Sequence, residues 1–356
     1  MTVTTPLLSG AGHVDEVSER LNDFFRRKER EAVAYGRHYS ELWSAIRHSS
    51  SGGKRFRPAL VVGAYRAFGG DCDDDAVTVA MAFELLHTAF LLHDDVIDGD
   101  LVRRGQPNIV GGFTTQAFEQ GTSAANSARW GEASAILAGD LLIHASQALV
   151  ARLAAPPEVR GSLLDLLEEC MFVTAAGELA DVAFSSGIEL PVLSQVISMA
   201  QWKTAHYSFQ APLQAGALLA RADTAALTAL GEYGRNVGIA FQLRDDVLGV
   251  FGAQELTGKS TTSDIREGKV TPLMCYALQR SESTELSEIL ERDDTSEADA
   301  ARVREILEAV GARPFIERLI DEYTRSALAA IDTAVIPWAL REQLTEVASK
   351  VGERSW

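Results

Sequence analysis

The chain has 356 residues, 46% of them apolar, and 33 basic against 50 acidic side chains for a net charge of −17. That apolar share can fill a buried core and excludes a disordered chain, and the strong negative charge, without any basic cluster or Cys/His finger spacing, argues against nucleic acid as a partner. The longest apolar stretch, around 136–155, is broken by Asp140, His144 and Arg152, and residues 1–12 lack a signal-peptide pattern, so no membrane segment and a cytoplasmic location are expected.

Apolar residues three and four apart recur in an Ala-, Leu-, Glu- and Arg-rich text that holds only ten prolines, which predicts α-helices throughout a single domain, 1–356, with residues 1–12 flexible. In chain order the pattern places helical segments at 13–48, from Pro58 onward after the Ser-Ser-Ser-Gly-Gly break at 49–53, and at about 75–98. The Gly-, Ser-, Thr- and Asn-rich stretch 105–130 reads as an irregular connection of flap-like length. Helices follow at 132–154, 158–187, 191–220, 223–250 and 270–290, with two more after 297, and 252–269 reads as a polar loop carrying Lys259 and Lys269. The acidic run at 292–299 is a solvated turn. Cys72, Cys170 and Cys275 are too few and too scattered for a disulfide framework.

The chemistry concentrates in Asp94-Asp95-Val96-Ile97-Asp98. On a helix Asp94 and Asp98 project from one face, offering paired hard oxygen ligands suited to Mg²⁺, while Asp95 lies about 100° around. A second acidic pair, Asp245-Asp246, shares a polar stripe with Gln242 and Gly249 on an otherwise apolar helix, a stripe that is costly to bury unless it meets cations or water. Two such helices would make a polyanionic site that a diphosphate enters only with metal ions as bridges. Lys54, Arg57, Arg103 and Arg104, beside Gly-rich or helix-terminal segments, supply phosphate-binding charge. His87, seven residues before Asp94, falls on nearly the same helical face.

Together with Gly52-Gly53-Lys54-Arg55-Phe56-Arg57-Pro58, Arg103-Arg104-Gly105, Gly139-Asp140, Lys203-Thr204 and Phe241-Gln242-Leu243-Arg244-Asp245-Asp246, these motifs resemble the trans-isoprenyl diphosphate synthases of the polyprenyl synthetase family, over about 14–345. The resemblance implies an all-α antiparallel helical bundle around a deep central cavity (the isoprenoid synthase type I fold), working as a homodimer. It implies a prenyltransferase joining isopentenyl diphosphate to C5–C15 allylic diphosphates. Asp94, Asp98 and Asp245 would bind Mg²⁺, three ions in all, with Asp95 and Asp246 in support. Arg103, Lys203, Lys259 and Lys269 would hold the allylic diphosphate. Lys54, Arg57, His87 and Arg104 would hold isopentenyl diphosphate, and Lys203, Thr204 and Gln242 would stabilise the allylic cation. The second motif departs from the family pattern at Gly249, where a third Asp is usual and for which Asp264 is a partial substitute. Its Asp-Asp-Val-Leu-Gly-Val-Phe-Gly form is most similar to short-chain synthases of actinobacterial type. Phe90 and Ala89, four and five residues before Asp94, are the chain-length positions, a bulky floor with room beside it, which favours a C20 geranylgeranyl product over C15 farnesyl. A terpene cyclase, which would not need Lys54, Arg57 and His87, and a silent regulatory subunit are the lesser alternatives.

Overall fold

The computed structural model describes residues 11–252, 265, 269–280, 284–290 and 296–353, and these are helical nearly throughout. The helices are α1 (Ala11–Ala32), α2 (Arg37–Ser49), α3 (Phe56–Ala67), α4 (Asp73–Ile97), α5 (Ile109–Glu119), α6 (Ala124–Ala151), α7 (Pro157–Ser185), α8 (Leu193–Ala200), α9 (Ala211–Leu219) and α10 (Thr224–Phe251). After them come α11 (Pro272–Leu278), α12 (Thr284–Leu290), α13 (Glu297–Ala309), α14 (Ala312–Ile331) and α15 (Trp338–Glu353). A π-helical segment, Gln201–Gln210, joins α8 to α9, and a small hairpin pairs β1 (Val102–Arg103) with β2 (Gln106–Pro107). Contacts divide the chain into two compact units, 1–167 with 212–222, and 168–211 with 223–356.

In the first unit α4 is the central helix. Ala80, Met81, Phe83, Leu85, Leu86, Ala89 and Leu92 are all buried, so the apolar residues surround the helix rather than forming one stripe. It packs on α6, where Ser146 Oγ donates to the Ala82 carbonyl at 2.8 Å. Both α4 and α6 are long and apolar enough to cross a membrane; α4 is mostly buried as core, whereas α6 leaves Ile136 and Leu137 exposed. In the second unit α10 is the corresponding core helix, with Tyr233 fully buried and its hydroxyl donating to the Leu344 carbonyl at 2.6 Å. Arg244, inside the second acidic motif, donates to the Gly352 carbonyl at 2.5 Å and so anchors α15.

Three readings of the sequence are corrected. The stretch 105–130 is not an irregular connection: Asn108 caps α5 by accepting from Gly111 N at 2.9 Å, Ile109, Val110 and Phe113 are buried, and Ser123 caps α6. Three helices, not two, follow residue 296, the first opened by a capping box between Ser296 and Asp299, which uses part of the acidic run read as a turn. The segment 270–290 is two short helices rather than one.

Candidate active site

The first acidic motif ends α4. Asp94 is half-buried in the last turn, Asp98 is the C-cap residue, and Asp95 points inward and is 1% exposed. Carboxylates at a helix C-terminus are opposed by the helix dipole, so this placement calls for compensating positive charge. Part of it comes from the hairpin. Arg104 and Gly105 have φ of 54° and 73°, the signature of a two-residue type I′ turn, which explains the glycine in Arg103-Arg104-Gly105. The turn sends Arg103 back to α4, where its Nε donates to Asp95 Oδ1 at 2.7 Å and its Nη2 to Asp94 Oδ2 at 3.2 Å. Burial raises the Asp95 carboxyl above its ordinary range, and the Arg103 guanidinium offsets part of that.

Arg104 turns the other way. A Cβ on Gly53 would lie 3.7 Å from Arg104 Nη2 and one on Gly52 3.9 Å from Nη1, so the guanidinium rests against the two glycines of the 52–58 motif. Both glycines have positive φ, 76° and 83°, and Arg55 follows at 48°. His87 closes this group. Its imidazole is pushed well below the ordinary value by burial and then by the charges of Arg57, Arg104, Arg103 and Arg55. The expected isopentenyl diphosphate residues Arg57, His87 and Arg104 are thus gathered in the first unit, with Lys54 exposed on the same loop. Ala89 is fully buried and Phe90 half-buried on the turn before Asp94.

The second unit carries the other set. Lys203 Nζ lies 2.6 Å from Asp181 Oδ2 and 3.1 Å from Glu178 Oε1, both on α7. This close approach depends on Gly177, where a Cβ would sit 2.3 Å from the Lys203 backbone nitrogen. Lys203 and Thr204 stand on the π-helical segment, a local widening that often marks functional sites. On α10 Gln242 Nε2 donates to Asp246 Oδ1 at 2.9 Å, Asp245 is exposed, and Gly249 is half-buried. Lys269 is half-buried just before α11, its carbonyl accepting from Thr271 N at 2.9 Å. Lys259 and Asp264 lie outside the described residues.

Sequence reasoning missed three partnerships. Glu178 and Asp181 hold Lys203; the signal was a Gly-Glu-x-x-Asp spacing that puts both acids on one helical face. Glu84, buried within α4, pairs with Arg55. His93 Nε2 lies 3.2 Å from the Ile136 carbonyl and 3.4 Å from Asp140 Oδ1, in space that a Cβ at Gly139 would fill, which gives the Gly139-Asp140 motif a packing role beside the first acidic pair.

The carboxylates fit magnesium: Asp94 and Asp98 set hard oxygen donors one turn apart on α4, and Asp245 is an exposed carboxylate on α10. A cavity of about 940 Å³ in the first unit lies away from this chemistry, between α1, α2 and α6, lined by Tyr39, Trp43, Leu141 and His144 among others. A smaller one, about 190 Å³, lies behind Asp95 and Arg103.

An all-helical scaffold carrying paired carboxylates beside a pocket of arginines defines an enzyme that handles diphosphates through metal. Residues 40–309 match the Polyprenyl synthetase family. The chain is 33% identical over 308 residues to a short chain isoprenyl diphosphate synthase of Methanothermobacter thermautotrophicus, covering 86% of this chain and 87% of the relative. It is 34% identical over 303 residues to a geranylgeranyl diphosphate synthase of Mycobacterium tuberculosis, covering 82% and 79%. Among solved structures, that of the geranylgeranyl pyrophosphate synthase of Corynebacterium glutamicum with isoprenyl diphosphate and magnesium is similar at a TM-score of 0.89 and 30% identity, covering 96% of this chain and 99% of that one. The chain belongs to the polyprenyl synthetase family, and with it to the prenyltransferase enzymes of the all-α isoprenoid synthase fold.

Proposed function

We propose that the protein condenses isopentenyl diphosphate with C5 to C15 allylic diphosphates to give geranylgeranyl diphosphate, the whole chain acting as one cytoplasmic synthase domain. The observation that carries this reading is the set of Arg57, Arg103 and Arg104 whose charges act on buried His87, two turns along α4 from Asp94. A cyclase has no second diphosphate to seat there, and a silent subunit has no need of it.

Asp94, Asp98 and Asp245 hold magnesium, in three ions when substrate is bound. Held by these carboxylates, magnesium would supply the charge neutralisation that makes the allylic diphosphate a better leaving group. Arg103, Lys203 and Lys269 orient that diphosphate, with Lys259 as a further contact. Lys54, Arg57, His87 and Arg104 hold isopentenyl diphosphate so that its double bond meets the allylic carbon. Lys203, Thr204 and Gln242 direct charge and dipoles at the developing cation, and the apolar surroundings exclude water. The allylic carbon–oxygen bond ionises, the isopentenyl double bond attacks the allylic cation to form the new carbon–carbon bond, and the released diphosphate accepts the proton that leaves last, which restores a double bond.

Phe90 and Ala89 set product length, and the half-buried bulk of Phe90 is what favours farnesyl diphosphate as the second reading. The exposed apolar face of α6, beside the cavity lined by Trp43 and Leu141, supports a homodimer that covers it. Incubation with labelled isopentenyl diphosphate and each starter, followed by chromatography of the dephosphorylated products, tests the reading. A ladder ending at C20 supports it, an end at C15 selects the farnesyl reading, and no elongation overturns both.

A further inference from the structure

Arg55 sits inside the motif that carries two phosphate-binding residues, yet its own guanidinium is spent elsewhere. Nη1 donates to Glu84 Oε1 and Nη2 to the Ser50 carbonyl at 2.7 Å. The Arg55 and Glu84 side chains are each 10% exposed, so the pair is largely desolvated. One side chain therefore ties the C-cap of α2 (Ser50) and the middle of α4 (Glu84) to the N-cap of α3. The backbone it fixes is unusual. Gly52, Gly53 and Arg55 all have positive φ, a conformation that costs a non-glycine residue energy and persists only where surrounding contacts enforce it. Lys54 lies between two of these residues and Arg57 stands in the first turn of the helix they lead into. Glu84 stands one turn before His87 on α4, so the strut ends beside the imidazole that Arg57 and Arg104 surround.

We infer that the buried Arg55–Glu84 ion pair is a positioning device for the isopentenyl diphosphate half-site, holding the 52–57 loop so that Lys54 and Arg57 meet His87 and Arg104. Arg55 touches no substrate. This inference rests on the function proposed above, and it separates from a purely structural role because a strut confined to one half-site moves one Michaelis constant and leaves the other.

The test compares wild type with Arg55→Met/Glu84→Met, which removes both charges together and leaves no buried ion unpaired, and with Arg55→Lys, which keeps the charge but replaces the planar two-nitrogen fork with a single ammonium. Circular dichroism checks the fold. The expected result for the double variant is a KM for isopentenyl diphosphate raised about tenfold or more, the loss that follows from a misplaced charge-assisted contact, with kcat and the allylic KM within about threefold. Arg55→Lys falls between. In the same preparations, calorimetric titration with isopentenyl diphosphate in metal-free buffer shows the same weakening without any turnover. Wild-type binding without turnover would overturn the proposed function and leave the strut tested by affinity alone. If the double variant does not fold, Arg55→Lys decides by its affinity. A folded variant with wild-type KM and affinity, or one that loses kcat while KM stays fixed, overturns the inference.

Discussion

Lys203 Nζ and Asp181 Oδ2 stand 2.6 Å apart, joining the π-helical segment to α7 through an ion pair whose two side chains are less than a fifth exposed. Glu178 holds the same ammonium from one turn away, at 3.0 Å. The lysine is thus pre-positioned before any substrate arrives, and its conformational freedom is already lost. Asp181→Asn is expected to lower stability by about 1–2 kcal/mol, between the values for surface and buried pairs, and to raise the allylic KM. Thermal denaturation and steady-state kinetics check both, and an unchanged allylic KM contradicts the role given to the pair.

Gly177 makes that approach possible. An alanine there would place its Cβ 2.3 Å from the Lys203 backbone nitrogen, and backbone cannot yield as a side-chain tip can. Gly177→Ala is expected to cost about 1–3 kcal/mol through overpacking and to lower kcat as Lys203 shifts. A variant as stable and as active as wild type would show that α7 and the π-helical segment part freely.

The arginine-ringed imidazole gives a pH dependence whose sign follows from linkage. Folding pushes His87 well below its ordinary value of 6.5, so the unfolded chain binds the proton first as pH falls. The contribution of this group is complete above about pH 6.5 and is lost as pH drops from there toward its folded pKa, by at most about 1.4 kcal/mol per pH unit. His87→Gln should flatten the stability profile over that window, as denaturant titrations at several pH values would reveal. An anion seated among the same arginines should draw the His87 pKa back up, an NMR observable on adding inorganic pyrophosphate, and an unmoved imidazole would place the anion elsewhere.

Phe90 is half-buried one turn before Asp94, while Ala89 beside it is fully buried. Phe90→Ala is expected to lengthen the product by at least one isoprene unit, seen by chromatography after dephosphorylation. An unaltered product would put the floor of the cavity on another residue.

Much of the site was legible because its spacing is local. Asp94 and Asp98 are one helical turn apart, and His87 two turns before, so helical geometry alone groups them. Glu84 is 29 residues from Arg55 and Asp181 is 22 from Lys203, so the Gly-Glu-x-x-Asp spacing groups the two acids of α7 without naming the lysine they hold, and nothing local pairs Glu84 with Arg55. Glycine was the main source of misreading. Gly111 lies in the stretch 105–130 read as irregular and Gly131 just past its end, yet both are helical: a Cβ at Gly111 would meet the Leu101 carbonyl at 2.2 Å and one at Gly131 would meet Thr114 Oγ1 at 2.2 Å. They serve close tertiary packing, which the local statistics of loops cannot distinguish from a break. The π-helical widening at 201–210 has the same character, because it depends on how Gly177, Gly234 and Gly238 let neighbouring backbones approach.

The most direct test of the whole account is the rate of magnesium-dependent condensation of isopentenyl diphosphate with a C15 starter, measured for wild type and for Asp94→Ala with circular dichroism confirming an intact fold. The account predicts elongation by wild type that stops when magnesium is chelated, and a loss of at least about 10²-fold in kcat for Asp94→Ala, the scale of removing one group that stabilises transition-state charge. Undiminished condensation by a folded Asp94→Ala protein would contradict it.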